Sequence, residues 1–403
     1  MTIARYSLMA VATAVALTAC QKQDAAQNAA SEPAASSAAA AGEVIKIGVA
    51  GPLTGPLAHI GKDTEFGVRM AADDVNAAGG IELGGKKYKI EVVAEDDQAD
   101  PKTATAVAQR LVDAKVAGVV GHVTSGATIP ASKIYSEAGI PQLTPSSTAI
   151  PFTAQGFKTT FRMIANDAQQ GKVLGSYAVE KLKVKKVAII DDRTAYGQGL
   201  ADEFEKAAKA AGAEVVKREF TSPQENDFSS ILTNVKSAQP ELIFFGGMDA
   251  QGAPLKKQMT KLGVKAQLLG ADGLSTGEFI KLAGPDAEGT ITTQPGQPKE
   301  SLSGAGAKDF FANFKTKFNV DVQLYAPNSY DALMVLVEAM KRAGSADPAK
   351  YLPEMAKTDY SGLTGKISFD DKGDLKDGAI TVYQVKNGKQ EVLEVVGGQP
   401  AAK

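Results

Sequence analysis

The sequence predicts an α/β protein built as two doubly wound parallel-sheet domains. Three observations lead there. Strand and helix patterns alternate along the chain and then alternate again after Asn166, which is the signature of βαβ units on parallel sheets. Several strand runs, Leu242 to Phe245 above all, are apolar almost without interruption, as strands covered on both faces are. Two strand ends also run into Gly, Ser and Thr-rich turns, GHVTSGAT at 121 to 128 and TPSSTA at 144 to 149. In an open parallel sheet such turns form the crevice where small ligands bind.

The elements follow in order. Val44 to Ala50 reads as a first strand, and Val68, Ala71, Ala72 and Val75 share one face of a helix that stops at Gly79-Gly80. Tyr88 to Ala94 is the next strand. Asp100-Pro101 starts a helix, with Asp as cap and Pro in the first turn, and Ala104, Val107, Ala108 and Leu111 supply its buried face. Val116 to Val120 and Ile140 to Leu143 are the strands that feed the two polar turns. The second round runs through strands at Lys185 to Asp191, Val215 to Phe220, Leu242 to Phe245, Gln267 to Leu269 and Gly289 to Thr293. Helices marked by Leu200, Phe204, Ala207 and Ala211, and by Phe228, Ile231, Leu232 and Val235, lie between the first three. Beyond Pro298 come two more helical patterns, a strand from Gly365 to Phe369, and a hairpin of Ala379 to Val385 and Glu391 to Val395 around Asn387-Gly388. A C-terminal set this long suggests that the chain crosses between the domains more than once.

With 403 residues, 44% of them hydrophobic, the chain is long enough for two cores. A net charge of -2 gives no reason to expect nucleic acid as a partner. The N-terminus differs from the rest. Arg5 precedes an apolar run of about fourteen residues, a signal-peptide core too short to span a membrane. The run ends at Leu17-Thr18-Ala19-Cys20, which resembles the lipobox of bacterial lipoproteins, and Cys20 is the only cysteine. Cys20 is therefore expected to carry lipid and to become the new N-terminus, while the Ala and Ser-rich stretch 21–43 has too few large apolar side chains to order itself and reads as a tether.

Two strand ends carrying hydroxyls and free N–H groups, next to helix N-termini that favour an anion, imply a pocket for a small carboxylate. Ser125 and Thr148 at these junctions also suit helix caps or turns, and the two roles use the same donors. Glu95-Asp96-Asp97 and Asp370-Asp371 lack the alternating ligand spacing of a calcium loop and read as solvated turns. His59 and His122 are too isolated for a metal site, and His122 suits a structural partner for a nearby strand end. No metal and no cofactor is expected. GPLAHIGKD has the wrong spacing for a phosphate-binding loop, and Asp63 stands where Ser or Thr must hold magnesium. Gly273-Leu274-Ser275-Thr276-Gly277 matches a hydrolase nucleophile elbow, but that fold needs a histidine after Ser275 and both histidines precede it.

The order of motifs, GPLTGP at 51, NAAGGI at 76, DDQADP at 96, GHVTSGAT at 121, TPSSTA at 144, YGQG at 196 and FDDKGD at 369, resembles the periplasmic leucine/isoleucine/valine-binding family. The likeness runs from about Val44 to about Val395, and the family comprises the solute-binding proteins of branched-chain amino acid ABC transporters. It implies the type I periplasmic binding fold, two lobes joined by a three-crossing hinge that close on an amino acid. The lobes would be 44–165 plus 297–378 and 166–296 plus 379–395, behind a signal peptide over 1–20 and the tether. By position in the motifs, Ser125 and Thr148 would bind the ligand carboxylate with backbone help near Ser146. Asp272, in GADG, would meet the ammonium at the lip of the cleft, and Tyr196 would lie over the ligand. Ile60, Val123, Thr124, Met248 and Tyr325 would surround its side chain.

The chain departs from relatives that have a disulfide, because Ala99 and Thr124 stand where those have cysteines. Ile60 and Met248 replace pocket aromatics, and the acid at 272 is Asp rather than Glu. The expected function is capture of a branched-chain or other aliphatic amino acid for membrane permease subunits served by separate ATPase subunits, by a lipid-anchored monomer that does no chemistry. A nearer rival keeps the fold and binds an aromatic or other organic acid or an amide; a remote one is a cleft hydrolase using Ser275.

Overall fold

The computed structural model describes residues 43–302, 304 and 306–398. Cys20, the signal peptide and the tether up to residue 42 lie outside the described residues.

The first round of the alternation gives β1 (Glu43–Gly51), α1 (Ala58–Ala77), β2 (Ile81–Leu83), β3 (Lys86–Asp96), α2 (Pro101–Asp113), β4 (Gly118–Gly121), α3 (Ser125–Glu137), β5 (Gln142–Thr144), α4 (Pro151–Ala154) and β6 (Thr160–Arg162). Among the described residues its strands form one sheet in the order β2-β3-β1-β4-β5-β6, parallel except where β2 pairs with β3.

The second round gives α5 (Asp167–Ser176), β7 (Lys186–Asp191), α6 (Ala195–Ala210), β8 (Glu214–Phe220), α7 (Ser229–Ser237), β9 (Leu242–Gly246), α8 (Asp249–Lys261), β10 (Gln267–Leu269), α9 (Gly277–Ala283) and β11 (Ile291–Pro295). After β11 come α10 (Ala307–Phe318), α11 (Ala326–Ala343), α12 (Pro348–Met355), β12 (Tyr360–Gly362), β13 (Gly365–Ile367), β14 (Ile380–Lys386) and β15 (Lys389–Val396). The second sheet runs β15-β14-β11-β10-β9-β7-β8, and the C-terminal hairpin makes its antiparallel edge. Both sheets are thus mixed, each with an antiparallel edge on a parallel centre.

Each sheet is covered on both faces, as the double winding requires. Ile45, Ile47 and Val120 pack beneath Val68, Ala71, Leu333, Leu336 and Met340 of α1 and α11, while Val119 faces Val107, Leu111 and Tyr135 of α2 and α3. In the second sheet Ile190 and Phe245 meet Leu232, Leu255 and Met259, and Ile189 and Phe244 meet Leu200 and Phe204. The helices α10 to α12 therefore belong with the first sheet although they follow β11 in the chain. Among the described residues the chain passes between the sheets after β6, after β11 and before β14.

Several expected boundaries shift for identifiable reasons. The second polar turn is fed by Gln142–Thr144 rather than Ile140 to Leu143, because Pro141 has no N–H to give a ladder. Val116 is buried but precedes β4, so the apolar run marked burial and not strand pairing. Glu43, placed in the tether, starts β1 and pairs with Tyr88. The stretch from Gly365 joins no main sheet and instead forms a two-stranded ribbon with β12.

Candidate functional site

The two polar turns meet, stitched together by their own hydroxyls. Thr144 Oγ1 donates to the carbonyl of His122 at 2.9 Å, and Ser146 Oγ donates to that of Val123 at 2.9 Å. Ser125 Oγ accepts from Ser147 Oγ at 3.1 Å and from the N–H of Ala149 at 3.3 Å. Ser125 is the first residue of α3 and its neighbour Thr124 occupies the cap position without capping through its side chain. The cap role weighed for Ser125 is thus not the one it takes, and Thr148 lies in no helix. The hydroxyls of Thr124 and Thr148 are buried with no protein partner, and a buried unpartnered hydroxyl costs about 1 to 3 kcal/mol unless something else meets it.

What holds these turns is a set of long-range ties. At the end of β4, Gly121 has φ 130°, and a Cβ there would collide with the carbonyl of Ala50. The next residue, His122, turns inward, with Nδ1 at 2.7 Å from Asp97 and Nε2 at 3.1 Å from the Tyr135 hydroxyl. This is the strand-end partnership that its isolation in the sequence suggested. The second turn is gripped by Arg162, whose side chain is fully buried. Its guanidinium donates to the carbonyls of Ser147 at 2.6 Å and Ala149 at 3.1 Å, and its Nε to Asp374 at 2.7 Å.

Facing the turns is a group of acids and tyrosines. Asp272 follows β10 and hangs from the second sheet. Its Oδ1 accepts from Gln170 Nε2 at 3.0 Å and from the Tyr196 hydroxyl at 3.0 Å, and its Oδ2 accepts from the Tyr325 hydroxyl at 2.5 Å. Tyr196 in turn accepts from the N–H of Gly273 at 2.9 Å, an approach that a Cβ at 273 would obstruct. Asp272 is 2% exposed, so it stands in the interior and not at the lip of the cleft as expected. Burial raises its pKa, against the three hydrogen bonds that favour the carboxylate. The Tyr196 and Tyr325 hydroxyls are pushed well up, first by burial and then by the carboxylates beside them.

Asp167, the first residue of α5, is buried, and the Thr148 hydroxyl is the one side-chain donor beside its carboxyl, too poorly placed for a good hydrogen bond. Burial, with a further push from Asp272, raises its pKa to about 7, while Thr148 and Arg162 nearby pull the other way. Sequence reasoning missed this residue, although its helix carries a readable signal. Asn166 and Gln169 form a reciprocal capping box that fixes the start of α5. Beside Asp167 a groove of about 420 Å³ runs between Ile150, Pro151, Ala154 and Gln155 on one side and Gly199, Asp202 and Glu203 on the other. A separate cavity of about 310 Å³ lies where the three inter-sheet passages come together, lined by Ile164, Gly296 and Gly378 among others.

Between the hydroxyls and the acids sits an apolar cluster. Ile60, Val123 and Tyr325 pack there with Ile164 and Leu324, and Leu57 and Met248 close over them. The structure therefore brings Ile60, Val123, Met248 and Tyr325 together, as the site list from the sequence grouped them. Tyr325 is set by Asp63, which sequence reasoning considered only as a misfit in a phosphate loop. The Asp63 carboxylate accepts from the N–H groups of Gln323, Leu324, Tyr325 and Ala326 at 2.8, 3.0, 2.7 and 2.9 Å, fixing the entry to α11 from α1.

Residues 44–390 match the family described as periplasmic binding protein. The chain belongs to that family. It is similar to the leucine-, isoleucine-, valine-, threonine- and alanine-binding protein of Pseudomonas aeruginosa, 35% identical over 85% of this chain and 90% of the relative. Among solved structures it resembles the leucine-binding protein LivK of Thermotoga maritima, with TM-score 0.81 and 30% identity over 87% of this chain and 98% of that one. It also resembles the branched-chain amino acid transporter substrate-binding protein LivJ of Streptococcus pneumoniae, solved with isoleucine, with TM-score 0.80 and 31% identity over 88% of this chain and all (100%) of that one. The family consists of solute-binding proteins of ABC transporters rather than enzymes, and an extracytoplasmic location goes with it. Ser275 is buried and accepts from Thr292 Oγ1 at 3.2 Å and from Gln390 Nε2 at 2.8 Å. Among the described residues no helix is long and apolar enough to cross a membrane, and no cluster of His, Cys, Asp or Glu is suited to a metal ion.

Proposed function

We propose that the chain captures an aliphatic L-amino acid between two lobes and delivers it to the permease subunits of an ABC importer, whose ATPase subunits are separate chains. The observation that carries this reading is Asp167. Its buried carboxyl, beside a second buried acid and with the Thr148 hydroxyl as its nearest neutralising neighbour, would hold a proton when alone and a cation in its place when a ligand supplies one. The ligand ammonium would sit between Asp272 and Asp167, near Tyr196. Its carboxylate would meet Ser125, Thr148 and the N–H groups at the head of α3 and near Ser146. The side chain would pack on Ile60, Val123, Met248 and Tyr325, with Thr124 at the edge. An organic acid without an amine would offer neither aspartate a cation, whereas an ammonium would draw both into the charged form, which favours the amino acid over that rival.

The lobes of this reading are 44–165 plus 297–378 and 166–296 plus 379–395, bending at the three passages between the sheets. Ligand binding would shift an open–closed equilibrium, and the closed form is the one a permease would recognise. Lipid on Cys20 would hold a monomer at the membrane through the tether. Failure of Cys20→Ser to lose the incorporation of labelled fatty acid would remove that part.

The test is a thermal-shift screen against the twenty amino acids and their desamino analogues. A ligand at about a hundred times its Kd adds roughly 2.7 kcal/mol of stability. Stabilisation by leucine, isoleucine or valine and not by 4-methylpentanoate supports the reading; the reverse pattern replaces it with the organic-acid rival.

A further inference from the structure

Beside the apolar cluster a second contact joins the two halves. His59 lies on α1, which packs on the first sheet, and Asp249 opens α8, which packs on the second. Their side chains meet, Nε2 to Oδ2, at 2.7 Å across 190 residues of sequence. The same Asp249 oxygen accepts from Thr276 Oγ1 at 2.5 Å, and Thr276 also caps α9 by accepting from the N–H of Phe279 at 3.0 Å. Asp249 is thereby fixed to its own half before His59 reaches it. Its side chain is fully buried while that of His59 keeps 18% exposure. Each partner is also the chain neighbour of a residue in the apolar cluster, His59 of Ile60 and Asp249 of Met248. The contact thus ties together the two backbone segments that carry those side chains.

We propose that His59 and Asp249 form a proton-dependent latch that holds the cleft closed and so sets ligand affinity. The inference rests on the amino-acid reading of the cleft. The groups facing His59 are Asp249 on α8, Glu278 on α9 and Asp63 on its own helix. Burial disfavours the imidazolium, but these three acids together outweigh it, so the His59 pKa lies above the ordinary 6.5 in the closed form. Opening separates His59 from Asp249 and Glu278 and returns it toward the ordinary value. A group whose pKa is raised by closure stabilises the closed form fully below the open-state pKa, and that contribution fades as pH rises through the closed-state pKa. The latch is therefore strong in mildly acid medium and weak in alkaline medium.

The test follows the His59 ring resonances by NMR in the full-length chain, which has two histidines and is assigned with His59→Gln. The probe is L-leucine. Saturating L-leucine is expected to raise the His59 pKa in the parent and not in Asp249→Asn. In calorimetry the parent is expected to bind L-leucine at least threefold tighter than His59→Gln at pH 5.5, with that advantage shrinking at pH 8.5. An unchanged His59 pKa on binding, or the same parent-to-variant ratio at both pH values, overturns the latch. If L-leucine does not bind the parent at all, it is the amino-acid reading that fails. The His59 titration is then repeated with saturating 4-methylpentanoate, where the pKa must rise in the parent and not in Asp249→Asn, and an unchanged value overturns the latch.

Discussion

The hydroxyl of Tyr325 donates to Oδ2 of Asp272 at 2.5 Å, joining a residue placed by the first sheet to one that hangs from the second. Both are buried, and Asp63 fixes the backbone on which Tyr325 rides. A hydrogen bond to a charged group contributes about 1.5 to 3 kcal/mol. Tyr325→Phe is therefore expected to weaken leucine binding by roughly ten- to a hundredfold while keeping the apolar contact of the ring. Calorimetric titration of parent and variant checks this; an unchanged Kd would mean that the bond is incidental to closure.

Asp63 makes a separate prediction about stability. Its carboxylate accepts four backbone N–H bonds at the start of α11. Asp63→Ala strands all four donors and is expected to cost at least about 3 kcal/mol in urea unfolding. Asp63→Asn keeps one acceptor oxygen and should cost less. Equal midpoints for parent and Asp63→Ala would remove Asp63 from its place as the anchor of Tyr325.

Asp167 predicts a pH dependence. Its pKa in the folded protein is raised to about 7, chiefly by burial. A carboxyl with a raised pKa favours that form below its unfolded pKa of about 4, and the advantage is lost as pH climbs to about 7. Relative to Asp167→Asn, the parent should lose thermal stability between those values. An ammonium ligand demands the carboxylate, so binding should release protons in the same window and do so less in Asp167→Asn. Calorimetry in buffers of different ionisation enthalpy measures that release, and an equal release from both proteins contradicts the assignment.

Arg162 predicts a coupled loss. Its fully buried guanidinium pairs with Asp374 and holds the carbonyls of Ser147 and Ala149. Arg162→Met removes a buried cation and leaves a partly exposed Asp374 and two buried carbonyls without their donor, which is expected to cost at least about 2 kcal/mol. It should also weaken leucine and 4-methylpentanoate alike, since the turn it grips serves the carboxylate end. Selective loss of one of the two ligands would place Arg162 elsewhere in the recognition.

How much of this was legible in the sequence depends on the range over which each feature is decided. The alternation of strands and helices is local, and so are the hydroxyls at the ends of β4 and β5; both could be read directly. Ile60, Val123, Met248 and Tyr325 are scattered through the chain and were grouped by the order of family motifs, not by any local pattern. Asp167, Arg162 with Asp374, Asp63 with the 323–326 segment, and His59 with Asp249 were not legible. Each depends on residues far apart in sequence meeting in the fold, within one half for Asp63 and Arg162 and across the two halves for His59. Asp167 in particular reads as an ordinary first-turn carboxylate until burial removes its water. The boundary errors have a different origin, because apolar runs report burial while ladder hydrogen bonds define strands, and Pro141 separates the two.

On the proposed reading the acids of the second half recognise an ammonium while the hydroxyl turns of the first recognise a carboxylate. The most direct measurement is a pair of calorimetric titrations, L-leucine and 4-methylpentanoate, on parent and Asp272→Asn. Removing one charge from a buried pair typically costs about 3 to 5 kcal/mol, a loss of roughly two to three and a half powers of ten in affinity. Leucine is expected to show that loss, with 4-methylpentanoate spared or improved. Equal weakening of both ligands would make Asp272 a structural carboxylate bound to Gln170, Tyr196 and Tyr325, and would contradict the account.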